Sequence, residues 1–173
     1  NKMDLDGRSV LDLIDQIESV LKIKAIPFTL PIGVGKLFKG VYCIADNTFN
    51  VYNAQSGHQE ILQMSGPDDP KLVELCGENW VNQFREEYDV VTGGMDPFNH
   101  ELFLKGEMCP VFFGSAVTGF GVRQLLNAFA DLAPAPMPRE TDKRTVDPSE
   151  SDFSGFVFKI QANMDPKHRD RTA

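Results

Sequence analysis

The feature that most constrains the fold is an amphipathic segment near the start of the chain. Ser9 is suited to cap a helix. Apolar residues recur after it at helical spacing, at Val10, Leu13, Ile14, Ile17 and Leu21. Acidic residues fall on the opposite face. The pattern predicts a helix that runs through Lys22 and buries one face against a sheet, which indicates an α/β fold. In such folds, loops between strands and helices carry the ligand site.

The segment Asn1-Lys2-Met3-Asp4 stands directly before this helix and resembles Asn-Lys-x-Asp, the guanine-reading motif of the GTPases. The Asp4 carboxylate can accept hydrogen bonds from two adjacent donors, as the ring N1–H and the exocyclic amine of guanine are. Adenine presents no such pair of donors, so Asp4 would favour guanine over adenine. The Asn1 amide can donate to the far edge of the base or brace a neighbouring loop, and the Lys2 stem can lie along the ring face. Four residues alone do not decide a function, because chance produces such a match in a few per cent of chains of this length.

A second segment supplies the partner that this interpretation needs. The apolar run that starts at Cys109 passes into Gly114-Ser115-Ala116, a pattern typical of a buried parallel strand that ends in a loop. The backbone N–H near Ala116 can donate to guanine O6, and small residues let a base approach the backbone. A helix is predicted next, with apolar residues at Val122, Leu125, Leu126, Phe129 and Leu132. The candidate nucleotide-binding residues are therefore Asn1, Lys2, Asp4, Ser115 and Ala116.

The order of these segments resembles the translational GTPases, whose guanine-reading motifs are Asn-Lys-x-Asp and a Gly-Ser-Ala loop. In that family, the translocase-type elongation factor and the class II release factor carry an extra lobe between the two motifs. Residues 27–106 would form it here, and we call them the insert lobe. Two stretches, Pro31–Tyr42 and Phe158–Arg171, resemble the class II release-factor GTPases in particular.

The resemblance implies a domain organisation. Residues 1–135 would be the guanine-reading, C-terminal part of a P-loop-type GTPase domain, with an α+β insert lobe. Residues 136–151 would be a proline-rich and polar linker. Residues 152–173 would start a β-barrel domain, because Phe156, Phe158 and Ile160 alternate along a predicted strand, 153–162.

The phosphate-binding half of such a GTPase is expected upstream of Asn1. Gly33-Val34-Gly35-Lys36 resembles a phosphate loop, but Leu30 and Leu37 stand where that motif needs glycine and Ser or Thr. The Mg²⁺ site is expected upstream as well. We therefore expect an internal fragment that carries guanine recognition for GTP or GDP, contains no catalytic or metal-binding residues, and is inactive alone.

Local patterns predict the elements of the insert lobe. Two prolines would hold the apolar run Ile26–Ile32 at a sheet edge. A hairpin is predicted from Gly40–Ile44 and Phe49–Tyr52. Asp69-Pro70 would open a helix that ends at Gly93-Gly94, with a break near Gly77. Asp96-Pro97 would open a short helix that ends at Gly106.

Composition and charge indicate which kinds of partner the chain can bind. The net charge of −8 argues against a chain that coats nucleic acid as a whole. Basic and acidic residues balance from Arg139 onward, and a basic cluster lies at Lys167, His168, Arg169 and Arg171. This cluster is either a solvated turn or a contact with ribosomal RNA phosphates. No apolar run is long enough to span a membrane.

Cysteine and histidine usage adds two expectations. The three cysteines, Cys43, Cys76 and Cys109, lack metal-binding spacing and are interpreted as buried thiols of a cytoplasmic protein. The three histidines, His58, His100 and His168, lie too far apart in sequence to indicate a metal site or a triad.

The resemblance finally implies an activity for the full-length protein. It would be a ribosome-associated GTPase of translation termination that promotes dissociation of codon-reading release factors after peptide release. A fragment of a translocase-type elongation factor is the first alternative. A non-enzymatic binding module built from the insert lobe is the second.

Overall fold

The computed structural model describes residues 1–52, 59–162 and 171–172. It shows a mixed α/β chain with small sheets and short helices, which confirms the predicted class in its coarse form. The chain divides into two units, Asn1–Ala133 and Pro134–Ala173. Among the described residues, no helix combines the length and the apolarity needed to cross a membrane.

The first unit contains five helices and six strands within its described part. The helices are α1 (Val10–Leu21), α2 (Pro70–Cys76), α3 (Glu78–Gly94), α4 (His100–Leu104) and α5 (Val122–Leu132). The strands are β1 (Lys24–Pro27), β2 (Thr29–Ile32), β3 (Gly40–Cys43), β4 (Thr48–Tyr52), β5 (Gln59–Gln63) and β6 (Met108–Val111).

Helix α1 confirms the prediction made from its periodicity. The Ser9 hydroxyl accepts a hydrogen bond from the Asp12 backbone nitrogen at 3.2 Å, as an N-cap does. Val10 and Ile14 are buried. The helix ends at Lys22, whose φ of 57° places it in the left-handed region.

Strands β1 and β6 form a two-stranded parallel sheet, with Lys24 opposite Met108 and Pro27 opposite Val111. The insert lobe thus leaves and rejoins the chain at two paired strands. The predicted parallel strand is confirmed, but it ends at Val111, and Cys109, Pro110 and Val111 are only half-buried.

The apolar run Ile26–Ile32 belongs to two sheets, because β1 ends at Pro27 and β2 begins at Thr29. The Phe28 N–H donates to the Val111 carbonyl at 2.9 Å, and the Phe28 carbonyl accepts from Ile44 at 3.1 Å. Strand β2 then opens an antiparallel sheet of order β2-β3-β4-β5. Both prolines do lie on edge strands, as predicted. Periodicity could not show the division, because both sheets bury apolar residues here.

The hairpin of β3 and β4 is confirmed, and so are α2 and α3 with their break at Gly77. The sequence did not indicate β5, whose residues are mostly polar. Helix α4 begins later than predicted. Its cap is Asn99, whose side-chain oxygen accepts from the backbone nitrogens of Glu101 and Leu102.

A single hydrophobic core joins the insert lobe to the segments around it. Met3, Ile14 and Phe120 belong to the same buried cluster as Leu30 and Tyr42 of the insert lobe. The insert lobe and the two candidate nucleotide segments therefore fold around shared side chains.

The second unit contains short strands only, within its described part. Strands β7 (Arg139–Glu140) and β8 (Thr145–Val146) pair inside the stretch predicted as a linker. Strands β9 (Gln161–Ala162) and β10 (Arg171–Thr172) pair antiparallel. The predicted strand 153–162 is wrong over 153–160. These residues form no strand pairing with any other described residue, and the side chains of Phe153 and Phe158 are 99% and 87% exposed. An apolar alternation forms a strand only where a neighbour completes the ladder.

Candidate functional site

The first loop, residues 1–5, is a tight turn ahead of α1. The Leu5 N–H donates to the Lys2 carbonyl at 3.0 Å. Lys2 has a φ of 69°, and its side chain is exposed. Met3 is 8% exposed and anchors the turn in the core. The turn therefore buries Met3 and leaves Asn1 and Lys2 at the surface.

The second loop, residues 112–121, follows β6 and closes on itself. The Ser115 N–H donates to the Phe120 carbonyl at 2.9 Å. The Ser115 hydroxyl is buried and accepts from the Thr118 backbone nitrogen at 3.4 Å. A methyl group at Gly114 would lie 2.4 Å from the Phe120 carbonyl oxygen, so glycine is required there. The Ser115 side chain therefore shapes the loop, and Ala116 next to it is exposed.

The structure brings the two loops together. The Ala116 N–H donates to Asn1 Oδ1 at 3.0 Å, across 115 positions in sequence. The Met3 N–H donates to the Gly114 carbonyl at 3.2 Å. Asn1 thus acts as the brace that its sequence position allowed. The same bond occupies the Ala116 N–H that was expected to face a base oxygen.

Asp4 contributes an unusual group beside this junction. Its Oδ1 atom is buried, and it has no hydrogen-bond partner in the part of the chain that the structure describes. A buried carboxylate oxygen without a donor costs about 1–3 kcal/mol or more. A ligand N–H could pair with this atom only after a local movement of the loop exposes it.

A groove and a small cavity are lined in part by residues of the first loop. An open groove of about 460 Å³ lies between α1 and β6, and Asn1, Met3 and Phe113 are among its mainly apolar lining. A cavity of about 20 Å³, the size of one water molecule, lies between Met3 and helix α3. Glu87 lines this cavity, and burial raises the pKa of its carboxyl. The Gln83 amide donates to Glu87 Oε1 at 3.0 Å.

Sequence reasoning missed the residues that hold the second loop from behind. Phe120 is fully buried, and its ring packs against Phe38 and Tyr52 of the insert lobe. No motif or period connects these three positions. Only an account of which aromatic residues share a core could have found them.

The other sequence expectations have mixed outcomes. Cys76 is buried, and Cys43 and Cys109 are half-buried; all are free thiols. Burial raises the pKa of Cys76 to about 11. Within residues 1–52, 59–162 and 171–172, no group of three His, Cys, Asp or Glu side chains could hold a metal ion. The basic residues Lys167, His168 and Arg169 lie outside the described residues, as does His58, and Arg171 lies in β10.

The chain was compared with known proteins. No family model matches it. Among solved structures, a protein from Thermus thermophilus aligns over 79% of this chain with 21% sequence identity and a TM-score of 0.50. The aligned part spans 22% of that protein. At this identity the likeness concerns the fold alone, and it shows that the fold of this chain occurs within a larger protein.

Proposed function

We propose that the two loops form a guanine-recognition site. The observation that carries this proposal is the junction of Asn1 with Ala116, because it joins two segments that lie 115 positions apart and that the sequence had paired as candidate nucleotide loops. The Asp4 carboxylate, three residues after Asn1, supports the proposal as the acceptor that the base edge requires, because its Oδ1 has no other partner among the described residues.

In this site, Asp4 accepts the ring N1–H and the exocyclic amine of guanine. The exposed Ala116 N–H gives up its bond to Asn1 and donates to O6. This exchange conserves the number of hydrogen bonds at Ala116. Asn1 Oδ1 still accepts the Lys2 N–H at 2.7 Å, and the Asn1 Nδ2 group can donate to the far edge of the base. The Lys2 stem covers one face of the ring.

We further propose that the chain is an internal part of a class II release-factor GTPase, peptide chain release factor 3. The support is the resemblance of Pro31–Tyr42 and Phe158–Arg171 to that group, together with an insert lobe that returns through the β1–β6 pair. GTP would be the substrate, and residues upstream would hold its phosphates and Mg²⁺. The ribosome and codon-reading release factors would be the partners, in the cytoplasm.

Nucleotide selectivity of the complete gene product tests the guanine site. IDP lacks only the exocyclic amine, so it should bind roughly 10- to 150-fold more weakly than GDP through loss of one bond to the Asp4 carboxylate. ADP should bind more weakly still. ADP binding as tight as GDP binding would contradict the guanine site.

The role in termination has a separate test. The complete protein should release codon-reading release factors from post-termination ribosomes in a GTP-dependent manner. Activity in translocation instead would assign the chain to the elongation-factor relatives.

A further inference from the structure

We infer that the insert lobe sets base selectivity by holding both loops of the guanine site. The positioning residues are Phe38 for the second loop and Gly35 for the first. This inference rests on the proposed guanine site and adds to it a role for a segment that lies outside both motifs.

The second loop is held in place by an aromatic cluster of Phe38, Tyr52 and Phe120. Phe120 is fully buried, and its ring centroid lies 5.0 Å from that of Phe38 and 5.0 Å from that of Tyr52, both in edge-on geometry. Phe38 and Tyr52 are themselves 5.9 Å apart. Aromatic pairs in this range favour specific ring orientations beyond simple burial.

The cluster acts on the reading group through the backbone. The Phe120 carbonyl accepts the Ser115 N–H at 2.9 Å, one residue before the Ala116 N–H that is expected to reach O6. Gly114 and Gly121 pack backbone against backbone, since a methyl group at either would lie within 2.5 Å of a carbonyl oxygen of the facing strand of the loop. A shift of the Phe120 ring therefore moves the Ala116 N–H.

The contact at the first loop is a close approach of Gly35 to Asp6, chiefly to the Asp6 side chain. Gly35 is buried with a φ of 54° in a short 3-10 turn, Gly35–Leu37, of the insert lobe. A methyl group there would lie 2.1 Å from Asp6 Oδ1 and 3.2 Å from the Asp6 backbone nitrogen. Asp6 directly follows the first loop and stands two residues after Asp4, so this turn contacts the segment next to the one that presents the Asp4 carboxylate.

The two contacts predict separable defects, because each loop reads a different part of the base. Replacing GDP by IDP removes only a donor to Asp4. Replacing GDP by 6-thio-GDP chiefly weakens the acceptor for Ala116, since sulfur accepts hydrogen bonds poorly, while the N1–H donor to Asp4 is retained. The ratios of affinity for GDP over each analogue therefore report on the first and second loops separately.

The experiment measures both ratios in the complete gene product and its variants. Phe38→Leu should reduce the GDP preference over 6-thio-GDP, roughly 2- to 10-fold in the parent, to less than twofold, and leave the preference over IDP unchanged. Gly35→Ala should reduce the preference over IDP about fivefold or more and leave the preference over 6-thio-GDP unchanged.

Matched controls separate positioning from general destabilisation. Phe49→Leu removes another buried aromatic ring, which lies in β4 next to Gly40. Gly106→Ala imposes a methyl group at a φ of 74°, with no atom within 4 Å of it. General destabilisation lowers the folded fraction and scales all affinities alike, so both ratios should hold in these controls.

The inference is supported if Phe38→Leu changes only the 6-thio-GDP ratio, Gly35→Ala changes only the IDP ratio, and both controls keep the parent ratios. Ratios that stay at the parent values in Phe38→Leu and Gly35→Ala, or that fall equally in the controls, overturn it while the guanine site stands. A parent protein without a preference for GDP over IDP overturns the proposed function itself. Should Phe38→Leu fail to fold, Gly35→Ala alone decides through the IDP ratio.

Discussion

At the scale of single residues, the structure places polar groups where solvent cannot satisfy them. Asp4 Oδ1 is one such group, at the candidate site. Glu87 is another, on α3 and only 8% exposed. Both are carboxylates beside Met3, one in the first loop itself and one across a small cavity from it. The two differ in their partners, because Glu87 receives a hydrogen bond from Gln83 and Asp4 Oδ1 receives none from the described residues.

Glu87 predicts a pH-dependent stability. Burial raises the pKa of its carboxyl, with the neighbouring Glu86 adding to the effect, so the folded state binds the proton more tightly than the unfolded chain. The contribution of Glu87 is complete below the ordinary carboxyl pKa and is lost as pH rises through the folded pKa. Glu87→Gln should therefore be more stable than the parent at pH 7 and similar to it near pH 4, in urea unfolding at both pH values.

The control is Glu86→Gln, which makes the same change of charge on the exposed face of α3. It should change the free energy of unfolding at pH 7 by no more than about 0.5 kcal/mol. Equal stability of Glu87→Gln and the parent at pH 7 would contradict the account.

At the scale of elements, the β1–β6 pair and the segments beside it join the insert lobe to the candidate site. The Thr29 hydroxyl, 2% exposed at the start of β2, accepts a hydrogen bond from the Phe113 backbone nitrogen at 3.1 Å. Phe113 lies just before Gly114, so this bond fixes where the second loop begins.

Thr29→Val should destabilise the first unit by about 1–3 kcal/mol, because it preserves shape but leaves the buried Phe113 N–H without its acceptor. Thr29→Ser keeps the oxygen and loses only a methyl group, at a cost of about 1 kcal/mol. Urea unfolding of both variants distinguishes the two losses. A valine variant at least as stable as the serine variant would show that the hydrogen bond contributes little.

The elements also show what the sequence could and could not predict. Capped and periodic segments were predictable, since Ser9 and Asp69 satisfy their own helix ends locally. The polar strand β5 could not be predicted, because it is stabilised by antiparallel pairing with β4 and not by a pattern in its own residues. Both candidate loops were selected from their residues and from the resemblance that those residues carry, and their guanine-reading role stays a prediction. Their junction through Asn1, and the aromatic cluster behind Phe120, depend on tertiary packing that no local pattern encodes.

At the scale of the whole molecule, the first unit is a folded body that brings two candidate guanine-reading segments together. The second unit presents an exposed apolar segment, 153–160, and the basic cluster that begins at Lys167 stays a prediction.

The 173-residue chain alone should bind GDP weakly, with a Kd around millimolar or above, and should not hydrolyse GTP. Three or four base contacts, each contributing about 0.5–3 kcal/mol, stand against a cost of about 4–15 kcal/mol for immobilising the ligand. Calorimetric titration with GDP measures this directly. Micromolar binding would reveal a phosphate site within these residues and contradict the fragment interpretation.

The central claim, that Asp4 reads guanine, has one direct measurement. Asp4→Asn replaces an acceptor by an amide that can also donate, which suits the second carbonyl of xanthine. Competition between GTP and XTP for the complete protein should therefore change from a preference for GTP to a preference for XTP. Asp15→Asn, the same exchange on the exposed face of α1, should keep the preference for GTP. An Asp4→Asn protein that still prefers GTP would show that Asp4 does not read the base.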